Sequence, residues 1–275
     1  MMDALNVPSD SLPFDVFGVI IEKVGEERDL ETLKALSLVR RDFLDICQPH
    51  IFSTIDLHPR VVHAFVEILK RNGRLALYVK KLNLTIHPGN INETHLPWVL
   101  ERLHNIGCLY LSMGRGANWP EFSHRLQSAL KMISQSPKIN ELKLKNIFPI
   151  DAAVSLVSRA PNLRHLALHE SPYGGRSRIL SGEFEKVPEL ETLDVGGSGI
   201  ETLERLLDAR HTNGDTAIDF SQLRKIEMGV EARYGGYPYR MDIAFKLLSR
   251  LLCLEELEIV AFCKFGIIVL ESRNS

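Results

Sequence analysis

The sequence predicts an α/β protein, with an N-terminal module of three helices followed by a series of parallel strand–helix repeats. Two observations predict this architecture. The first is a dense apolar block from Leu12 to Leu57, in which 22 of 46 residues are apolar. The second is a short apolar motif, L-x-x-L-x-L, that recurs seven times from Val79 onward and alternates with segments of helical periodicity. Strands that alternate with helices are typical of a parallel sheet with crossover connections.

The N-terminal block predicts three short helices after a polar leader of residues 1–11. The first, Asp15 to Val24, is apolar on almost every side, and the third is expected to end near Pro49. A helix that is apolar all round must be covered from more than one direction. A unit of this length has too much surface for its volume to cover those residues alone. The block is therefore expected to be covered by something else.

The pattern of this block resembles an F-box, the helical module by which a receptor subunit docks on the Skp-type adaptor of a cullin–RING ubiquitin ligase. The segments that match are Leu12-Pro13, Ile20-Ile21, the run Leu33–Phe43 and the tail His50–Ile55, which is similar to fungal members. The block departs from the usual pattern at Asp15, Arg40 and Phe43, where F-boxes carry Glu, Cys and Trp. The resemblance implies adaptor contacts by Leu12, Pro13, Ile20, Leu33, Leu38, Val39 and Phe43.

The seven apolar motifs predict a solenoid over residues 58–275, after a first short strand near residues 52–57. The motif starts lie 24 to 33 residues apart, and the motifs begin at Val79, Ile106, Ile139, Leu163, Leu190, Leu223 and Leu254. Helical segments are predicted between them at 61–70, 96–103, 126–133, 152–157, 200–207 and 241–252. Strand, turn and helix at such a period resemble a leucine-rich repeat of the irregular, helix-containing type. The stretch 261–270 is expected to seal the last repeat as a short cap, or to belong to a shortened solenoid.

The repeat motif also assigns one face of the predicted sheet to a binding partner. The apolar positions point inward, and the alternate positions form the concave surface, where solenoid proteins commonly bind. This surface is expected to be mildly basic in the middle and acidic at its far end, although a solvated polar face without a partner would have a similar composition. Aromatic and cationic side chains give the predicted target contacts, which are Tyr110, Lys143, Lys145, His165, His169 and Tyr237.

Composition and motifs favour no catalytic, metal or cofactor site. The net charge of −2 gives no electrostatic signature of a nucleic-acid or anionic-membrane partner. Four scattered cysteines and the lack of a signal sequence predict a protein of the cytoplasm or nucleus. The glycine-rich stretch 194–199 lacks the lysine of a phosphate loop. His165 and His169 are four residues apart but fall on a predicted strand and its exit, where a metal pair is not favoured without carboxylate or cysteine partners nearby.

Together, the resemblances imply a non-catalytic receptor that binds a Skp-type adaptor and, through it, a cullin, and that presents a target protein for ubiquitination. The alternative is a stand-alone repeat scaffold whose N-terminal helices only cap the solenoid. The two hypotheses differ in one observable. A cap would bury Val16, Ile20 and Leu33, whereas a docking module would leave an apolar surface exposed.

Overall fold

A computed structural model of the chain describes residues 14–88, 94–169, 187–196, 199–210, 214–231, 241–263 and 266–273. The chain divides between Thr54 and Ile55 into two compact units, called here the helical unit and the sheet unit. None of the helices in these ranges is long and apolar enough to cross a membrane. The α/β class predicted from the sequence is confirmed.

The helical unit contains α1 (Phe14–Glu26), α2 (Leu30–Val39) and α3 (Arg41–Ile51). Asp29 caps α2, because its carboxylate accepts hydrogen bonds from the backbone N–H of Thr32 at 3.1 Å and from the Thr32 hydroxyl at 2.6 Å. The α3 helix ends at Ile51, two residues beyond Pro49 and so near the predicted end. A proline so close to a helix end removes one hydrogen bond and disturbs little of the helix that follows it.

The core of the helical unit is small. Its four fully buried residues are Ile21, Leu33, Phe43 and Cys47, with one or two from each helix. The rings of Phe17 and Phe43 pack with their centroids 5.0 Å apart, which joins α1 to α3. Tilted aromatic pairs at this distance add to the free energy gained by burying their area.

The sheet unit contains one nine-stranded sheet whose strands lie in chain order. The strands are β1 (Thr54–Leu57), β2 (Lys81–Ile86), β3 (Cys108–Met113), β4 (Glu141–Lys145), β5 (His165–His169), β6 (Thr192–Gly196), β7 (Lys225–Glu231), β8 (Glu256–Cys263) and β9 (Gly266–Arg273). The helices are α4 (Pro59–Arg71), α5 (His95–Leu100), α6 (His124–Ser134), α7 (Ile150–Val157), α8 (Gly199–Asp208) and α9 (Met241–Leu248). A strand is therefore present at each of the seven motifs and a helix at each of the six predicted segments, although α5 and α9 end three and four residues earlier than predicted.

The register of the parallel strands aligns the apolar motifs with one another. From β2 to β7 the second motif position forms one row across the sheet, made of Leu82, Leu109, Leu142, Leu166, Leu193 and Ile226. All six side chains are buried. Burying a side chain of this size contributes roughly 1.5–3 kcal/mol. Because each strand pairs with both neighbours, this row forms a continuous core along the sheet unit.

A repeated pattern of backbone hydrogen bonds leads into β3 to β8. The carbonyl oxygen of Lys80 accepts hydrogen bonds from the N–H groups of Gly107 and Cys108, at 2.8 and 3.1 Å. The same two-donor arrangement recurs at the carbonyls of Gly107, Asn140, Arg164, Glu191 and Arg224, with distances of 2.8 to 3.2 Å. Each turn is thus bonded to the turn before it, so the backbone polar groups at this edge are satisfied.

The last two strands form a hairpin. β9 pairs antiparallel with β8 over eight residue pairs, from Glu256↔Arg273 to Cys263↔Gly266. All other pairs from β2 to β8 are parallel. The stretch that the sequence left open between a cap and a shortened solenoid therefore contributes an antiparallel edge strand.

Candidate protein-interaction surfaces

The helix α1 has two apolar stripes. Phe17, Ile21 and Val24 follow helical spacing and pack on the core of the helical unit. Val16, Val19 and Ile20 are related by steps of three and four residues and are exposed. Residues three and four apart lie on one face of a helix, so these side chains form a second stripe beside the buried one.

The helix α2 repeats this arrangement. Leu33 is buried with 1% of its side chain exposed, whereas Leu38 is 87% and Val39 70% exposed. We define the outer apolar set as the exposed apolar side chains of α1 and α2, which are Val16, Val19, Ile20, Leu30, Leu38 and Val39. Exposed ion pairs accompany this set on the same helices, between Lys23 and Glu26 at 3.1 Å and between Lys34 and Glu31 at 2.8 Å.

Exposed apolar side chains are concentrated in the helical unit. Among the described residues, twelve large apolar side chains are exposed, and six of them belong to this unit. The unit supplies fewer than a fifth of the residues that the structure describes. Single exposed apolar residues are normal on any protein, whereas larger contiguous apolar patches mark interaction sites.

The predicted adaptor contacts divide into three groups. Ile20, Leu38 and Val39 are exposed and belong to the outer apolar set. Leu33 and Phe43 are buried in the core of the helical unit, so their side chains pack against the other helices and do not face a partner. Leu12 and Pro13 lie outside the described residues.

Val16, Val19 and Leu30 are not among the predicted adaptor contacts. Helical spacing was the signal that could have identified the first two, because it separates the two stripes of α1 once the core side is known. The resemblance selects residues by their match to a motif, and a motif match does not distinguish the residues that support a surface from those that form it.

The second surface is the face of the sheet that alternates with the buried rows. We call it the open face. From β2 to β9 its described residues are Lys81, Asn83, Thr85, Cys108, Tyr110, Ser112, Glu141, Lys143, Lys145, His165, Ala167, His169, Thr192, Asp194, Gly196, Lys225, Glu227, Gly229, Glu256, Glu258, Val260, Val269 and Glu271. Five of the six predicted target contacts lie here, and Tyr237 lies outside the described residues.

Polar contacts connect neighbouring strands in the middle of the open face. His169 Nε2 on β5 lies 3.2 Å from Asp194 Oδ2 on β6. His165 Nδ1 lies 2.8 Å from Thr192 Oγ1 on the same two strands. The hydrogen bond to Asp194 raises the pKa of His169 above its ordinary value, although partial burial opposes the shift.

Two small side chains of the open face are buried, in contrast to the predicted exposure of these positions. Cys108 is 8% exposed and Ala167 is 6% exposed. Burial, together with hydrogen bonding to Glu141, raises the pKa of the Cys108 thiol to about 12. The nearby Lys143 ammonium lies 2.9 Å from Glu141. The hydrogen bond to this carboxylate raises the pKa of Lys143. A thiol of this kind is protonated and unreactive at neutral pH.

The described residues contain no group of three or more histidine, cysteine, aspartate or glutamate side chains that could hold a metal ion. Comparisons of the chain with models of protein families, with curated proteins and with solved structures found no match. The outer apolar set and the open face are therefore the candidate functional sites.

Proposed function

We propose that the chain is a substrate receptor of an SCF-type cullin–RING ubiquitin ligase, in which the helical unit docks on a Skp-type adaptor. The observation that supports this proposal is the outer apolar set, which stays exposed although the core of the helical unit is complete. Val16 and Ile20 are exposed, as expected for a docking module, whereas a cap would bury them. Leu33 is buried, as expected for either role.

The docking surface consists of exposed residues on α1 and α2. The buried residues of the same helices pack in the core of the helical unit and hold the two helices in position. Val19, Ile20 and Leu38 would be covered by the adaptor, and Leu33 and Phe43 would hold the two helices in place. Burying an apolar side chain contributes roughly 1.5–3 kcal/mol. Part of that gain is offset by the cost of association, so several such residues are needed. The outer apolar set supplies six.

The sheet unit is proposed to be a leucine-rich repeat solenoid that holds the target protein on its open face. Three features support this proposal: the parallel strands in chain order, the aligned rows of apolar motif residues, and the repeated backbone ladder. The function would be positioning. A receptor raises the local concentration of target lysines around an active site that another subunit of the complex provides.

The test is co-expression of the full chain with a Skp-type adaptor, followed by size-exclusion chromatography. A stable one-to-one complex is expected. The double variant Val19→Asp/Leu38→Asp should lose the complex, because it places charges in a surface that must be desolvated. Leu252→Asp is the matched control, because Leu252 is 81% exposed but lies in the sheet unit. It should keep the complex.

Two results would overturn the proposal. One is a native chain that remains alone in the presence of the adaptor, which would favour the repeat scaffold with a helical cap. The other is a complex that survives Val19→Asp/Leu38→Asp with both proteins folded, because the adaptor would then bind elsewhere.

A further inference from the structure

The charges of the open face are segregated along the order of the strands. From β2 to β5 this face carries three lysines, two histidines and one glutamate. Among the side chains that the structure describes on β6 to β9, it carries one lysine, one aspartate and four glutamates. The face is therefore cationic on its first half and anionic on its second half.

The strongest part of the anionic half is a single register row. Asp194 on β6 pairs in register with Glu227 on β7, which pairs with Glu258 on β8, which pairs with Glu271 on β9. Paired residues of neighbouring strands point to the same face, and the strands lie about 4.8 Å apart. Like charges placed directly opposite one another destabilise a sheet. Repulsion within this row therefore lowers the stability of the folded sheet unless a cation lies over the row.

Among the described side chains, cations neutralise only carboxylates at the border of this row. Asp194 is paired with His169, and Glu256 in the next row is paired with Lys225 at 3.2 Å. Within the part of the chain that the structure describes, no cation lies at salt-bridge distance from Glu227 or Glu258. The centre of the acidic row is therefore left for an external cation.

The cationic half adjoins the acidic row, because β5 pairs with β6. Lys143 and Lys145 occupy alternate positions of β4, and His169 is the register neighbour of Lys145 on β5. Tyr110 on β3 is the register neighbour of Lys143 and adds an aromatic ring beside the two lysines. Aromatic side chains are enriched in protein interfaces, and lysine is a mobile point charge suited to carboxylates.

We propose that the open face binds an extended segment of the target protein that is itself bipolar, with acidic residues over β4 and β5 and basic residues over β7 to β9. The proposal rests on the receptor function, in that it names the chemical class of target segment that the receptor selects. A uniformly acidic segment would meet the row of carboxylates, and a uniformly basic one would meet the lysines of β4. Electrostatic complementarity of this kind sets orientation and excludes wrong partners.

The geometry fixes the spacing of the two charged blocks. From β4 to β8 there are four strand intervals, or about 19 Å at about 4.8 Å each. An extended chain advances about 3.3 Å per residue, so the centres of the two blocks should lie about six residues apart. A probe peptide therefore carries four acidic residues, a two-residue spacer and four basic residues.

The test measures binding of this end-labelled peptide to the full chain without adaptor, by fluorescence anisotropy at about 0.05 M salt, where surface charges are weakly screened. A second peptide has the same composition with alternating charges. The bipolar peptide should bind at least about tenfold more tightly than the alternating one. Equal affinity of the two peptides would overturn the proposal.

Matched charge variants locate the binding site. Glu227→Lys/Glu258→Lys should weaken binding of the bipolar peptide about tenfold or more, and Lys143→Gln/Lys145→Gln should weaken it as well. The control Glu22→Lys/Glu27→Lys makes the same change in net charge on exposed positions of the helical unit and should have no effect. If the control weakens binding equally, or if either open-face variant binds like the native chain, the proposal is wrong.

A separate variant guards against misfolding. Glu227→Gln/Glu258→Gln removes the negative charges without adding new ones and should fold at least as well as the native chain, because it relieves repulsion within the row. It should still lose affinity for the bipolar peptide. Because the assay omits the adaptor, a negative result leaves the docking of the helical unit untouched, and failure of adaptor docking leaves the peptide result untouched.

Discussion

The helical unit and the sheet unit differ in how completely they bury their apolar residues. In the sheet unit, apolar and polar residues alternate with the two-residue period of a strand, so one face is buried and the other is polar. In the helical unit, α1 carries apolar residues on two stripes, and its three helices cover only one of them. The sheet unit buries its rows of motif residues, whereas the helical unit leaves six large apolar side chains exposed within a much shorter segment.

Thiol labelling should show the largest difference between the two units. Among the side chains that the structure describes, each unit has one buried cysteine, Cys47 in the helical unit and Cys108 in the sheet unit, and Cys253 is exposed. Burial raises the pKa of both buried thiols, so each must become exposed before it reacts. The smaller unit should open more often, because it buries less surface. We expect Cys253 to react first, Cys47 next and Cys108 last, with Cys47 at least about tenfold faster than Cys108.

Peptide mass spectrometry after timed alkylation identifies which cysteine has reacted. Addition of the Skp-type adaptor should slow the labelling of Cys47 and leave Cys108 unchanged, because a partner that binds the folded helical unit stabilises it. Equal labelling rates for Cys47 and Cys108 would mean that the two units open together, and the contrast between them would not hold.

A pair of leucine substitutions in α2 tests the division between core and outer surface. Leu33→Ala should destabilise the helical unit by about 2–5 kcal/mol, because it leaves a cavity in the core. Leu38→Ala removes the same atoms from an exposed side chain and should change stability by no more than about 0.5 kcal/mol. Hydrogen exchange of α1 to α3 is the appropriate measurement, because Trp98 and Trp119 both lie in the sheet unit and their fluorescence does not report on the helices.

The two outcomes separate the hypotheses about Leu38. If Leu38→Ala is as destabilising as Leu33→Ala, the side chain is covered within the chain and the outer apolar set is not a docking surface. If Leu38→Ala is neutral for stability but weakens the adaptor complex, the residue contributes to binding alone.

Much of the sheet unit was predictable from the sequence, because strand periodicity is local and repeats seven times. Each motif fixes which residues face inward, and the aligned Leu109, Leu142 and Leu166 confirm this. The hairpin of β9 was not predictable, since it breaks the repeat and depends on pairing with β8. Without β9, the extension of the acidic row to Glu271 could not be seen.

The candidate surface of the helical unit was less predictable. Three of the seven predicted adaptor contacts are exposed and two, Leu33 and Phe43, are buried. When a helix is apolar on two sides, the sequence alone does not say which side packs on its neighbours, because both sides satisfy the same spacing. The tertiary packing of Phe17, Ile21 and Val24 identifies the inner stripe.

The pair formed by His169 and Asp194 should make stability weakly dependent on pH in the sheet unit. The pKa of His169 is raised in the folded protein, so the ion pair with Asp194 adds to the free energy of unfolding. This stabilisation is fully present below the ordinary histidine pKa of about 6.5, and it is lost as the pH rises through the raised pKa of His169. Asp194→Asn should therefore destabilise the protein near pH 5.5, by less than about 1 kcal/mol because both groups are partly exposed. Above neutral pH this loss of stability should disappear.

Urea denaturation at pH 5.5 and pH 8, followed by tryptophan fluorescence, measures this difference. His169→Gln is the matched control, because it removes the titrating group and should make the effect of Asp194→Asn independent of pH. An effect of Asp194→Asn that is equal at both pH values in the native background would show that the pair contributes no charge-dependent stability.

The smallest expected effect on stability concerns the repulsion between the carboxylates of the acidic row on the open face. Glu258→Gln should stabilise the protein by a few tenths of a kcal/mol at low salt, because Glu258 lies in register between the carboxylates Glu227 and Glu271. The gain should disappear at about 1 M salt, where charges a strand apart are screened. Glu22→Gln on α1 is the exposed control and should give no gain. A loss of stability in Glu258→Gln would mean that the row is not self-repulsive, and the acidic half of the open face would then be balanced within the chain, as its apolar face is.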